Sequence, residues 1–253
     1  MIDLSNTTFI IPIKIDSKDR LRNYNIIIEY LTKEFDTNIM VCESDQVSHE
    51  ELLKVSDNIK YFFVKNDTHI FHRTHILNYM TKMCETDIVC NYDTDVLFPI
   101  KQYTDALELI KKGNTIVFPY GGKFLNAHEE FFPLLKSKKF KDIDESKLEL
   151  AHPQSLGGAF FFDKEKYGSI GWENENFVSW GFEDNERINR LVKLGHTWSR
   201  TEGPLYHLNH SRTLNSAPNH PFYAQNMNEF NKINSLSKHD LEEYVKTWSW
   251  TKN

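Results

Sequence analysis

The stretch Asp87-Ile-Val-Cys-Asn-Tyr-Asp-Thr-Asp-Val-Leu-Phe98 limits the possible folds more than any other part of the chain. Its apolar run reads as a strand covered on both faces, as at the centre of a parallel sheet. The run leads straight into two carboxylates one residue apart, Asp93 and Asp95. Open α/β sheets place ligands at the carboxyl ends of such strands. Residues two apart in extended chain point the same way, so both acids can meet one cation, or a cation and a ribose. The same pair would also serve as the start of a solvated turn ahead of Pro99, and the spacing alone does not choose.

The rest of the first half supplies the partners such a strand needs. Phe9-Ile-Ile-Pro-Ile-Lys-Ile15 predicts a strand, 16–19 a turn, and Leu21, Tyr24, Ile27, Ile28 and Leu31 the inner face of a helix. Strands are predicted at 38–43 and 61–64, and Ile76, Leu77, Met80 and Met83 mark the helix before the acids. Beyond them come a helix over 101–112, a strand at 115–120 and a turn at Gly121-Gly122. Such alternation predicts an α/β wound sheet with flanking helices. Dense charge over 129–150 predicts a surface excursion.

A chain of 253 residues can form one large α/β domain, and 40% hydrophobic with 26% charged residues excludes wholesale disorder. The net charge of -6, without a basic stripe, argues against a nucleic-acid partner. Cys42, Cys84 and Cys90 form no Cys-x-x-Cys pair and read as core thiols of a reducing compartment. With neither a signal peptide nor a membrane span in the sequence, the expectation is a cytoplasmic chain. A peripheral membrane contact through the aromatic tail stays open.

The second half offers three further groups. Gly157-Gly158 precedes an aromatic strand, where a missing Cβ admits a ligand to the backbone or simply allows a bulge. Ile188, Leu191, Val192 and Leu194 predict an apolar helix face that ends at Gly195, which puts Glu183 and Asp184 in the first turn. Acids there complement the helix dipole. Beside Trp180, one of them could equally take a proton from a sugar hydroxyl stacked on the indole. His207 and His210 face opposite ways in a straight strand, but can share an ion if the strand ends in a turn between them. Ordinary hydrogen-bonded histidines would fit the same spacing. Residues 211–221 have loop composition, suiting a lid or a static loop, and 236–250 predict a helix whose aromatics pack onto the sheet.

In order, Pro12 in its Ile-Pro strand, Phe71-His-Arg73, Asp93-Thr-Asp95, Gly157-Gly158, Trp180-Gly-Phe-Glu183-Asp184 and His207-Leu-Asn-His210-Ser-Arg212 resemble the inverting GT-A glycosyltransferases of the β-1,4-galactosyltransferase type. The C-terminal part also resembles the galactosyltransferase-like domains of bacterial chondroitin-type polymerases. This resemblance implies a single Rossmann-like domain with a mixed sheet. Its nucleotide-binding half would span about 1–98, its donor-sugar and acceptor half 99–212, with a loop and C-terminal helix over 213–253. It implies that Asp95, His207 and His210 hold manganese, magnesium being the poorer fit, and that Asp93 takes the ribose side of a UDP-sugar. Pro12, Lys14, Phe71 and Arg73 would flank the nucleotide, Glu43 would reach uracil and Gly158 the donor. Trp180 and Glu183 would hold the sugars, and Asp184 would be the base. The donor would be galactose-type, a hexose or N-acetylhexosamine, and the acceptor a glycan, a lipid-linked sugar or a protein.

Several positions depart from that pattern. Phe182 replaces a usual glycine, Asn185 an acid, Lys14 an arginine and His207 a methionine. A nucleotidyltransferase would share the sheet and the acids but is expected to carry a glycine-rich basic loop, which 12–18 lacks. A metal-dependent hydrolase would use the same acids and histidines. A non-catalytic sugar-binding module could keep Trp180 and the aromatic strand but would have no use for a diphosphate metal site.

Overall fold

The structure, a computed structural model, describes residues 1–54, 58–216 and 220–252. The chain opens with strand β1 (Ile2–Ile13), helix α1 (Lys18–Glu34) and β2 (Phe35–Asp45). Next come β3 (Ile59–Lys65), α2 (Arg73–Met83), β4 (Ile88–Tyr92), β5 (Val96–Leu97) and α3 (Ile100–Lys111). They are followed by β6 (Ile116–Phe118), β7 (Phe124–Ala127), α4 (Phe132–Lys136), β8 (Glu149–His152) and β9 (Ala159–Asp163). The last part holds α5 (Lys164–Ser169), α6 (Glu183–Lys193), β10 (Trp198–Arg200), β11 (Leu205–Leu208), α7 (Tyr223–Ser235) and α8 (Lys238–Thr247).

Among the described residues seven strands form one sheet in the order β10-β6-β9-β4-β1-β2-β3. The acid-bearing strand β4 lies at its centre, with all of its residues buried. β1 runs parallel to β2 and β4, whereas β9 runs antiparallel to β4 and β6, so the sheet is mixed. Helix α1 begins where the Ser17 hydroxyl accepts the Arg20 N–H at 3.1 Å, and it turns Tyr24, Ile27, Ile28 and Leu31 into the core. A second sheet, β5-β11-β7-β8, sits past the acids. Its β5–β11 pairing sets His207 opposite Val96, so the fold itself brings the histidines to Asp95.

The structure redraws four expectations. β1 starts at Ile2 rather than Phe9, because Ile2–Leu4 pair with Phe35–Thr37 across a register shift. The charged stretch 129–150 buries Phe131, Phe132 and Leu135 and so is partly core. On α6, Val192 is 55% exposed, and the inner face pairs Ile188 and Leu191 with Glu186, Arg187 and Arg190. The aromatic tail packs on α6 and the turn after α5 instead of on the sheet. There Trp248 joins Ile233, Leu241 and Val245 in a small separate cluster, below the Arg190 guanidinium and against Gly171. No helix among the described residues is long and apolar enough to cross a membrane.

Candidate active site

A cleft of about 370 Å³ opens at the carboxyl ends of β1 and β4. Pro12, Lys14, Phe71, Arg73, Asp93, Asp95, Gly158, Trp180, Glu183, Asp184, His207 and His210 all line it. Glu43 does not. Its side chain is fully buried, with His49 Nδ1 at 2.6 Å on one oxygen and the Tyr61 hydroxyl at 2.6 Å on the other, because the loop after β2 folds His49 back over it.

The two acids are presented by a turn and not by extended chain, since β4 ends at Tyr92 and the Asp93 N–H donates to the Gly158 carbonyl at 2.8 Å. They therefore take separate partners. Arg73 donates to Asp93 at 2.6 Å. Asp95 faces Arg20 and His210 at 3.2 Å each and His207 at 3.8 Å. Burial alone would raise the Asp95 carboxyl, but His207, His210 and Arg20 together hold it well below the usual range. Asp93 shifts the other way, because burial and the Asp95 charge outweigh Arg73.

Each histidine has its tautomer set from behind. His207 donates Nδ1–H to Asn126 Oδ1 at 2.9 Å, and His210 donates Nδ1–H to the Ser211 carbonyl at 2.9 Å. Both therefore turn Nε2 towards Asp95. Burial pushes His207 down to about 4, so the ring is neutral at physiological pH. The ligand atoms of Asp95, His207 and His210 lie within 4.8 Å of one another, close enough to meet on one ion. The Asp95 carboxylate, against burial, draws a proton onto His210, which a bound cation would displace. A carboxylate and two imidazole nitrogens aimed at one point suit a first-row divalent metal.

The opposite wall is the start of α6. Ser179, Gly181 and Phe182 have φ of 64°, 103° and 74°, so the chain winds sharply around Trp180 before the helix begins. Asn226 of α7 clamps this turn, accepting from the Val178 N–H at 3.1 Å and donating to the Val178 and Trp180 carbonyls at 2.9 and 3.2 Å. Asp184 Oδ1 accepts from Arg187 at 2.8 Å. Its Oδ2 rests against Gly157, where a Cβ would come within 2.9 Å of it. Gly158, expected to open the backbone to a ligand, has φ of 88°, and its Cβ direction is filled by Leu205 at 2.6 Å. The glycine pair thus makes room for protein atoms. Burial and the Asp184 charge push Glu183 up to about 7.

A second groove of about 480 Å³, lined by Phe182, Tyr223, His152 and Gln154, shares Trp180, Glu183 and Asp184 with the first. Lys14 is held by Asp45 at 2.7 Å. The described part of 211–221 ties the two walls together, since Asn215 Oδ1 accepts from the Phe71 N–H at 2.8 Å and from the Ser179 hydroxyl at 3.2 Å. Residues 217–219 of that expected loop lie outside the described residues. The sequence reading missed Arg20, Asn126, Asn215, Asn226, Glu173 and Arg187. Only Arg187 left a local signal, an arginine three positions after Asp184 on a helix.

Residues 138–213 match the family model of the N-terminal domain of galactosyltransferase. No curated protein sequence matches the chain. Among solved structures, GalNAc-T7 with UDP, GalNAc and Mn2+ aligns over 95% of this chain and 53% of its own, at 14% identity and a TM-score of 0.56. Glucosyl-3-phosphoglycerate synthase from Mycobacterium tuberculosis, in complex with Mn2+, UDP and phosphoglyceric acid, aligns over 81% and 71%, at 14% identity and 0.50. The catalytic domain of Drosophila β1,4-galactosyltransferase 7, in complex with xylobiose, aligns over 79% and 65%, at 14% identity and 0.49. The chain thus spans between 53% and 71% of the length of these structures. Its fold is that of the GT-A glycosyltransferases, and the segment that carries Gly158, Asp184, His207 and His210 matches the galactosyltransferase family model.

Proposed function

We propose that the protein is a metal-dependent inverting glycosyltransferase that moves a galactose-type hexose or N-acetylhexosamine from a UDP-sugar to a glycan hydroxyl. The observation that carries this reading is one cleft with an Asp95, His207 and His210 set on one wall and Asp184 on the other. A nucleotidyltransferase would explain the first wall but not the second, and the match of residues 138–213 to the galactosyltransferase family model favours transfer over hydrolysis. Two of the solved structures of similar fold are described with Mn2+ and UDP, which supports a nucleotide and a divalent ion here.

Asp95, His207 and His210 would hold the ion, manganese before magnesium on account of the imidazoles, and when bound it supplies Lewis-acid charge to the diphosphate. Arg20, beside Asp95, adds a cation of the chain itself on that wall. Arg73 fixes Asp93 for the ribose, while Pro12, Phe71 and the Asp45-tethered Lys14 form the uracil side. Trp180 and Glu183 stand between the two cavities, where donor sugar and acceptor meet. Asp184 Oδ2 takes the acceptor hydroxyl proton as the oxygen bonds to the anomeric carbon. The bond from that carbon to UDP breaks on the opposite face, and its electron pair leaves on the diphosphate. The second groove is the acceptor side. It has no lysine or arginine among its described lining residues and carries aromatic Trp180, Phe182 and Tyr223, features that suit an uncharged sugar ring better than a phosphate.

Calorimetric titration with UDP, with and without Mn2+, tests the donor half. Binding that requires the ion and disappears in Asp95→Ala is expected. Metal-independent binding, or the same affinity in the variant, overturns the assignment.

A further inference from the structure

Two arginines on the inner face of α6 are fully buried, and each is paired with a buried glutamate. Arg190 donates to Glu186 at 2.6 Å and places its remaining N–H groups on the backbone carbonyls of Ile170 and Trp172. That pair closes on the scaffold. Arg187, by contrast, grips Glu173 with two parallel bonds, Nε to Oε1 at 2.9 Å and Nη2 to Oε2 at 3.0 Å, and turns Nη1 out to Asp184 Oδ1 at 2.8 Å. A guanidinium held bidentately by a carboxylate has a fixed plane and therefore a fixed direction for its third donor.

The fork is itself immobilised. Glu173 Oε1 also accepts from the Tyr167 hydroxyl at 3.0 Å, and the Glu173 backbone N–H donates to Asn78 Oδ1 at 3.0 Å. The Arg187 guanidinium lies 4.3 Å from the centroid of Phe160 on β9. Glu173, Arg187 and Phe160 are all buried, while the Asp184 side chain keeps 33% exposure at the cleft. Thus a rigid buried assembly ends on one oxygen of the only carboxylate in it that reaches solvent.

We propose that Arg187, locked by Glu173, is the positioning residue that holds Asp184 Oδ1, so that Oδ2 alone, beside Gly157, receives the acceptor proton. This rests on the reading of Asp184 as the base. An untethered carboxylate would rotate between two equivalent oxygens and lose the alignment that makes proton transfer fast.

The test uses Arg187→Lys, which keeps the charge but cannot grip the fork, and Glu173→Gln, which keeps the side-chain size. Turnover is read as UDP release from UDP-galactose, UDP-glucose and UDP-N-acetylgalactosamine in Mn2+, with water as acceptor. Each variant should lose about 10- to 100-fold in kcat, the scale of a misplaced catalytic group, with Mn2+-dependent UDP affinity kept within about twofold. Placed in an Asp184→Asn background, Arg187→Lys should cost nothing more, because its effect passes through Asp184. Full turnover in either single variant, or losses that multiply in the double variant, overturns the proposal. A substrate-free arm compares melting temperatures of Asp184→Asn, Arg187→Lys and their combination. Non-additive losses support the contact, and strictly additive ones refute it. Failure of the UDP titration would sink the transferase reading and leave this arm standing.

Discussion

His207 can offer a metal only one nitrogen, and Asn126 decides which. With the Asn126 oxygen 2.9 Å from Nδ1, the proton stays on that side and Nε2 faces Asp95. Replacing Asn126 by Ala frees the ring to rotate and to change tautomer, so Mn2+ affinity should fall about 10-fold or more, as for other outer partners of metal-bound histidines. Titration of Mn2+ by calorimetry or by its paramagnetic signal checks this, and an unchanged affinity would free the tautomer from Asn126. Glu183 makes a pH prediction. Burial and Asp184 raise it from 4.5 to about 7, so between those values the folded chain holds a proton that the unfolded chain has released. Its contribution to stability is present at low pH and is lost as pH rises from about 4.5 through about 7. Glu183→Gln, permanently neutral, should match the parent near pH 4.5 and melt higher at pH 8, by about 2–4 °C for ~1 kcal/mol relieved. Equal melting at pH 8 would contradict the shift. That Asp95, Asp184, His207 and His210 gather at one cleft was legible from the sequence because each falls in a short motif. Asn126 was not, because one asparagine on a short strand carries no pattern until β7 pairs with β11.

At the scale of elements, the same contrast runs through α6. Hydrophobic spacing finds this helix and its end at Gly195, but misassigns Val192. The inner face is built from ion pairs, Glu173–Arg187 and Glu186–Arg190, which read as solvated charge until their partners are known. The turn before the helix shows strain more directly. Phe182 sits at φ 74°, a conformation glycine takes freely and a bulky residue adopts at a cost of about 1–3 kcal/mol. Its ring meets Tyr223 and Phe230 of α7 at centroid distances of 5.2 and 5.4 Å, contacts worth about 0.5–1.5 kcal/mol each. The two effects nearly cancel. Phe182→Gly should therefore leave the melting temperature within about 4 °C of the parent, since ~1 kcal/mol corresponds to about 2–4 °C in a chain of this size. It should keep Mn2+-dependent UDP binding while it reshapes the acceptor groove. A loss of UDP affinity would mean that the ring supports the donor wall instead.

The whole molecule divides its work between two packing regions. Alternating strands and helices made the large sheet readable in advance. The small sheet β5-β11-β7-β8 was hidden, because its short strands fall on either side of long connections and pair only in three dimensions. That sheet and the main core carry Asp95, His207 and His210. The base wall leans additionally on the C-terminal cluster and its helices, through Arg190 over Trp248, Gly171 against the same indole and Asn226 of α7 on the Trp180 turn. Trp248→Ala opens a cavity at the centre of a small cluster, between Tyr244 and Trp250, at a cost of about 3–5 kcal/mol. Because Ile233, Leu241, Val245 and Trp248 form a cluster separate from the main core, the loosening should stay in α6, α7 and α8. Hydrogen exchange should rise in those helices while β4, β5 and β11 remain protected. Mn2+-dependent UDP binding should persist at near-parent affinity even as turnover falls, since the metal wall does not rest on the damaged cluster. If UDP affinity and turnover fell together, the two walls would share one cooperative unit, and the small cluster would be an extension of the main core.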